Sequence, residues 1–432
     1  MRERTNLRSG VRVQSRSPVK WERKPLESVT EFCLGKMLDQ KKNRGELRPY
    51  LANVNVRWGS FDLDSLREMR FEDHELDRYG LRNGDIVMCE GGEPGRCALW
   101  KDQWPGMMIQ KALHRIRPAE YLSNEFLFYS LLHKGRTGRL APRFTGATIK
   151  HLPREKLAKV EIEVPPLDVQ IRIASILSAY DDLIENNRRR IKLLEQAARL
   201  LYKEWFVHLR FPGHEHVKIK DGVPEGWKKK TLDDVLVDIE SGGRPKGGSQ
   251  ENGIPSIGAE NVIGVGQYDY TKEKYIPDEY FNAMRQGVVH NRDVVLYKDG
   301  ANIGRSSYFG EGFPHEKCAV NEHVFILRGL PELGQNLLYF WVAQAETHQR
   351  IANLNANTAQ PGVSQGKLRT LSFIQPQHLV TRLFDENVEP IVRQIFILAR
   401  ENRKLIQARD LLLPRLMNGE LAVESKVKIM SL

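Results

Sequence analysis

Ile173, Leu177, Tyr180, Ile184, Asn187, Ile191, Leu194, Ala198, Leu201 and Trp205 follow one another at alternating spacings of four and three. That rhythm, kept for about five heptads, predicts a long helix with one narrow apolar seam. Asp168 stands at the N-cap position before it, and Phe211-Pro212-Gly213 stops it. Adding 211 to each number gives a second seam: Phe384, Val388, Ile391, Ile395, Leu398, Asn402, Leu405, Arg409, Leu412 and Leu416. This one has two faults. Arg409 takes a core slot, although Ala408 beside it could serve, and Pro414 should kink or end the helix.

A narrow apolar stripe has to be buried, and the two stripes suit each other. Antiparallel pairing of the segment midpoints sets Asn187 opposite Asn402. Parallel pairing would instead face Asn187 with Leu398 and Asn402 with Ile191. A buried asparagine costs stability unless it is paired, and it fixes register when it is. The expectation is an antiparallel coiled coil with Asn187 near Asn402.

The remaining chain has a different texture, and it is duplicated. Residues 20–165 and 225–376 carry short β-type runs such as Asp85–Cys89, Asp293–Tyr297 and Val160–Val164, with helical stretches at Asn124–Leu132 and Asn336–Thr347. Gly-rich turns interrupt them at Gly91–Gly95 and Gly242–Gly248. Trp21, Lys24, Leu26 and Val29 recur 206 residues later as Trp227, Lys230, Leu232 and Val235. Asp85-Ile86-Val87 matches Asp293-Val294-Val295 at an offset of 208, and Gly95-Arg96 matches Gly304-Arg305 at 209. From Arg117 and Arg328 onward the offset is 211, through Leu200-Leu201 and Leu411-Leu412. A drift of a few residues is what loop insertions produce. The fold expected is therefore α+β: two similar mixed domains separated by two long helices, with an internal pseudo-two-fold repeat. The boundaries read as a basic tail over 1–17, mixed domains over 18–166 and 212–376, helices over 167–211 and 377–421, and a tail over 422–432.

Composition adds a partner class. The 432 residues include 66 Lys+Arg against 55 Asp+Glu, a net +11, which points to a polyanionic partner. The first twenty residues hold Arg2, Arg4, Arg8, Arg12, Arg16 and Lys20 against Glu3, as a solvated basic tail would. Cys33, Cys89, Cys97 and Cys318 match no metal motif and read as reduced thiols of a cytoplasmic protein. The densest apolar runs, Phe126–Leu132 and Leu337–Ala345, are far shorter than the ~20 residues of a membrane span.

The familiar catalytic motifs are missing: there is no GxxxxGK[ST], HExxH, GxSxG or CxxC. The nearest approach to a nuclease is Asp410 with Glu424-Ser425-Lys426. What the chain does supply suits DNA, with Arg, Lys, Asn and Gln on Gly-rich loops for phosphates and base edges. The candidate DNA-binding residues are Arg96, Lys111, Arg139, Arg143 and Lys150 in the first copy, and Arg244, Lys246, Lys298, Asn302, Arg305 and Gln360 in the second. Arg136 belongs to the same basic set. Thr145–Leu152 and Asn357–Val363 occupy equivalent places.

Pro165-Pro166-Leu167-Asp168-Val169-Gln170-Ile171-Arg172-Ile173-Ala174-Ser175-Ile176-Leu177 resembles the start of the central conserved helix of type I restriction-modification specificity subunits. Asn186-Asn187-Arg188 through Leu200-Leu201-Tyr202 continues the likeness. The run from Ala408-Arg409-Asp410 to Asn418-Gly419-Glu420-Leu421 is similar to that family's distal conserved region. Trp21…Leu26 and Gly226-Trp227…Leu232 resemble the openings of its two target recognition domains. Two departures are local: Val169 stands where the family commonly has Glu, and Pro376-Gln377-His378 lacks the double proline. The resemblance implies a non-catalytic subunit that recognises double-stranded DNA. It also implies two methyltransferase partners and a motor-nuclease partner, with S-adenosylmethionine, ATP and Mg bound by those partners. The alternatives are a coiled-coil adaptor that binds no specific DNA, or a diverged nuclease using the carboxylates above. The residues from Ile173 to Trp205 would span about 50 Å as helix, or about 14–15 base pairs, which suits a bipartite target with an unread middle.

Overall fold

The computed structural model describes residues 21–39, 43–355, 361–421 and 423. The basic tail, Gln360 and the Glu424-Ser425-Lys426 run lie outside them. The chain divides into two compact units, residues 1–182 with 406–432, and residues 183–405. No helix among the described residues is long and apolar enough to cross a membrane.

In the first unit, β1 (Thr30–Leu34), β2 (Ile86–Cys89), β3 (Cys97–Leu99) and β4 (Leu113–Pro118) form an antiparallel sheet in the order β1-β4-β2-β3. In the second, β5 (Leu236–Ser241), β6 (Val294–Tyr297), β7 (Ser306–Tyr308) and β8 (Val324–Gly329) form an antiparallel sheet in the order β5-β8-β6-β7. The two orders are the same. A smaller sheet beside each repeats too: Glu46–Leu51 pairs antiparallel with Arg67–Phe71 and parallel with Met108–Ile109, as Ile254–Ile257 does with Lys274–Ile276 and Ala319–Val320. Each domain is closed by its own ends, Glu22–Pro25 on Glu161–Val164 and Lys228–Thr231 on Ser372–Gln375.

The likeness extends to single atoms. Asn55 Nδ2 donates to the Asp62 carbonyl while its Oδ1 accepts from the Ala52 amide; Asn261 makes the same two bonds with Asp269 and Gly258. Arg117 grips Asp85 with two bonds of 2.8 and 2.7 Å, and Arg328 grips Asp293 with two of 2.7 Å. Two planar, bidentate ion pairs with buried carboxylates tie the second strand of each sheet to its central one.

Two long helices complete the units: a central one, Leu167–Tyr202, and a distal one, His378–Met417. Within the first unit, Ile173, Ala174 and Leu177 share a core with Leu413, Leu416 and Met417. Within the second, the Tyr202 ring lies 6.2 Å from Phe384, and Asn402 donates to the Ile184 carbonyl at 3.3 Å. In each unit the numbers rise on one helix as they fall on the other, so the helices run antiparallel there. Of the seam, Ile173, Leu177, Ile184, Asn187, Ile191, Ile395, Leu398 and Asn402 are buried, while Tyr180, Leu194, Leu201, Ile391, Leu405 and Leu412 are partly so. Val392 and Phe396 are fully buried as well, because the distal helix also packs on the second domain, its Phe396 ring 5.6 Å from Tyr308. A helix that packs on two sides needs a wider stripe than a two-helix seam.

Several local expectations are corrected. The central helix begins at Leu167, so Asp168 sits inside the first turn and pairs with Arg172, while the Pro166 carbonyl accepts from the Val169 and Gln170 amides. The helix ends at Tyr202 rather than at Phe211, passing into a π turn over Lys203–Val207. Pro414 does not end the distal helix, and neither does Pro390; the apolar contacts of Leu413, Leu416 and Met417 outweigh one lost backbone bond. Arg409, not Ala408, fills the buried slot, held by Asp181 and Asp410. The stretch Asn336–Thr347 is two helices, Gln335–Val342 and Ala345–Asn353.

Asn187 and Asn402 are both buried, yet among the described residues no hydrogen bond joins them. The Asn402 Oδ1 has no partner. An orphaned buried acceptor costs about 1–3 kcal/mol, more than the long bond to Ile184 returns. Asn402→Leu is therefore expected to stabilise the second unit by about 1 kcal/mol, read as a higher denaturation midpoint.

The second unit also holds an unusual carboxyl. Burial, reinforced by the Glu389 carboxylate, pushes Asp385 up to about 6, and a hydrogen bond from Asn336 opposes the rise. In the unfolded chain the value is near ~3.9, so the folded state binds more protons between the two. Stability then falls as pH rises from about 4 to about 6 and stays lower above. Asp385→Asn should add about 1–2 kcal/mol at pH 7 and almost nothing at pH 4, measured by denaturant unfolding at the two pH values.

Candidate nucleic-acid interface

Each unit gathers its Gly-rich loops by the same backbone lock. In the first, the Leu152 amide donates to the Glu90 carbonyl and the Glu90 amide to the Ala112 carbonyl, both at 2.8 Å. The Thr145 and His151 backbones bond each other both ways, and His151 Nδ1 lies 3.2 Å from the Glu90 carboxylate. In the second, the Val363 amide donates to the Lys298 carbonyl and the Gly300 amide to the Pro361 carbonyl, both at 2.9 Å. Leu152 and Val363 are 211 apart, Glu90 and Lys298 are 208 apart, and both offsets belong to the repeat. Segments far apart in sequence are thereby held together at one edge of each domain.

Glycine is required where these loops meet their neighbours. Gly92 has a left-handed φ of 81°, and a Cβ there would lie 2.4 Å from the Asn53 amide nitrogen. At Gly242 a Cβ would fall 1.5 Å from the Val320 carbonyl oxygen, a distance no side chain tolerates.

In the first unit Lys111, Arg139 and Lys150 are exposed and Arg143 is partly so; none makes an ion pair among the described residues. Arg136 is held by Asp410 at 2.8 Å. Arg96 points inward instead of toward solvent. It donates to Glu93 and to the Asn53 carbonyl, both at 2.7 Å, and braces the turn. Trp58 braces it from the other side, its indole N–H bonded to Glu93 at 2.7 Å.

In the second unit Lys246 and Asn302 are exposed. Arg244 is exposed but pairs with Glu322 at 2.5 Å, and Lys298 is held by Asp299 at 2.8 Å with its ammonium over the Phe325 ring. Arg305 is half-buried and faces a cleft of about 1380 Å³, also lined by Arg199, His348 and Arg350. The braces Asn53, Trp58, Glu93, Asp299, Glu322 and His323 escape sequence reading, since nothing in their spacing distinguishes them from ordinary surface residues.

Two like-folded domains, each lifting locked, Gly-rich loops that carry cations, define a duplicated binding module. Comparison with known proteins places it. Residues 18–196 match the type I restriction modification DNA specificity domain. The chain is 23% identical to the type I restriction enzyme MjaIX specificity subunit of Methanocaldococcus jannaschii, over 94% of this chain and 95% of that one. It is 21% identical to the type I restriction enzyme HindI specificity subunit of Haemophilus influenzae, over 80% and 88% of the two chains. The fold is shared with the type I restriction-modification S subunit of M. genitalium, at a TM-score of 0.53 and 16% identity, over 97% of this chain and 99% of that one. Over nearly its whole length the chain is similar to type I restriction enzyme specificity subunits.

Proposed function

We propose that the chain is the DNA sequence-recognition subunit of a type I restriction-modification complex. Its two domains each read one half of a bipartite duplex target, and its long helices pair as an antiparallel coiled coil that carries the partner subunits. The observation that supports this best is the loop lock found at equivalent positions in both domains, with cations on the loops it gathers. Phosphate contacts from Lys111, Arg139, Arg143, Lys150 and Lys246 set the register. Arg244, Lys298, Asn302 and Arg305 supply base-edge donors.

Two methyltransferase subunits and a motor-nuclease would dock on this scaffold and carry S-adenosylmethionine, ATP and Mg. A salt titration of duplex binding tests the reading. A DNA-recognition subunit loses affinity linearly in log–log form, with a slope of about −0.9 per phosphate contact; a coiled-coil adaptor has no duplex binding to lose.

A further inference from the structure

In the second domain carboxylates link several loop cations into one network. Arg244 Nη2 lies 2.5 Å from Glu322 Oε1, with side chains 61% and 32% exposed. His323 faces the same Glu322 oxygen at 3.4 Å and Asp299 at 2.8 Å, and Asp299 in turn holds Lys298 at 2.8 Å. Arg244, Glu322, His323, Asp299 and Lys298 thus form one polar chain across three loops. At this exposure the Arg244–Glu322 pair is weak and readily exchanged. Glu322 Oε2 is buried with no hydrogen-bond partner. A carboxylate oxygen left so costs stability, so folding alone does not account for this side chain's position.

We propose that Glu322 is a specificity-determining residue that, side by side with Arg244, reads one G·C base pair; this rests on the loops being the DNA-binding face. In the major groove a G·C pair presents the guanine O6 and N7 acceptors next to the cytosine N4 donor. A guanidinium beside a carboxylate is the complement of that edge. At a G·C pair the arginine moves onto guanine and the carboxylate accepts from cytosine. At other pairs the guanine acceptors and the cytosine donor are not presented side by side, so Arg244 stays on Glu322 and the carboxylate brings its negative charge toward the duplex without a matching donor. The same acid that accepts from cytosine therefore penalises wrong sequences.

The test selects bound duplexes from a pool with a randomised segment, using the full-length chain, and sequences them. It also measures the affinity for a duplex of unselected sequence over a range of salt. The parent should enrich one invariant G·C pair that Arg244→Ala and Glu322→Gln both lose and Glu322→Asp keeps. Glu322→Gln should bind the unselected duplex roughly 3–10-fold more tightly, with a salt slope steeper by about 0.9. Adding Arg244→Ala to it should abolish that gain. An unchanged selected sequence in Glu322→Gln overturns the proposal, and so does an equal loss of affinity for selected and unselected duplexes. Absence of any duplex binding by the parent overturns the reading of the face, and this inference with it.

Discussion

Asp85→Ala should destabilise the first unit by about 3–5 kcal/mol, the cost of leaving one partner of a buried pair alone. Asp85 is 1% exposed, and the Arg117 guanidinium that grips it has turned away from solvent. With the carboxylate gone, a half-buried cation faces the core of the sheet without an acceptor. For a unit of about 200 residues this corresponds to a fall of roughly 6–20 °C in melting temperature, read by calorimetry. Replacing both partners, Asp85→Leu with Arg117→Leu, should recover much of the loss, since an apolar pair leaves no orphaned charge. The equivalent Asp293→Ala should cost less. There Arg328 also donates to Glu240 and to the Val288 carbonyl, so it retains acceptors.

The second large effect concerns binding. Replacing Lys111, Arg139 and Lys150 together by alanine should weaken duplex binding on the order of a hundredfold near 0.1 M salt, and flatten the salt slope by about 2.7. All three are exposed, outside the buried core, and make no ion pair among the described residues, so stability should move by less than about 0.5 kcal/mol. Arg96→Ala is the contrasting control. Its guanidinium braces the turn through Glu93 and Asn53, so it should act on stability as well as on binding. Fluorescence anisotropy of a labelled duplex over a salt series separates the two cases.

These contrasts mark where the sequence could be read and where it could not. The duplication was readable because Trp21 and Trp227, Asp85 and Asp293, and Arg117 and Arg328 keep their order, and the two Arg–Asp pairs make the same bonds. The long helices were readable because a seam with a 3.5-residue period has few other uses. Side-chain partners across loops were not. Whether Arg96 points out to a ligand or in to Glu93 depends on a turn closed by Asn53 and Trp58, about forty residues upstream, and no local pattern encodes that. Asn402 shows the same limit from the opposite side. Its seam position was right, but its partner is a backbone carbonyl rather than Asn187. Pro414 was misjudged because propensity weighs one lost hydrogen bond and does not see the apolar core waiting for Leu413, Leu416 and Met417.

The most direct test of two separate reading heads is to map methylated adenines in cells carrying the complete system, with the parent chain and with Arg244→Ala plus Lys246→Ala. Two short sequence blocks separated by a constant unread gap should emerge for the parent, and the paired substitution should alter or relax one block while leaving the other as it was. A single uninterrupted recognition sequence, or a change in both blocks at once, would contradict the division of labour between the domains.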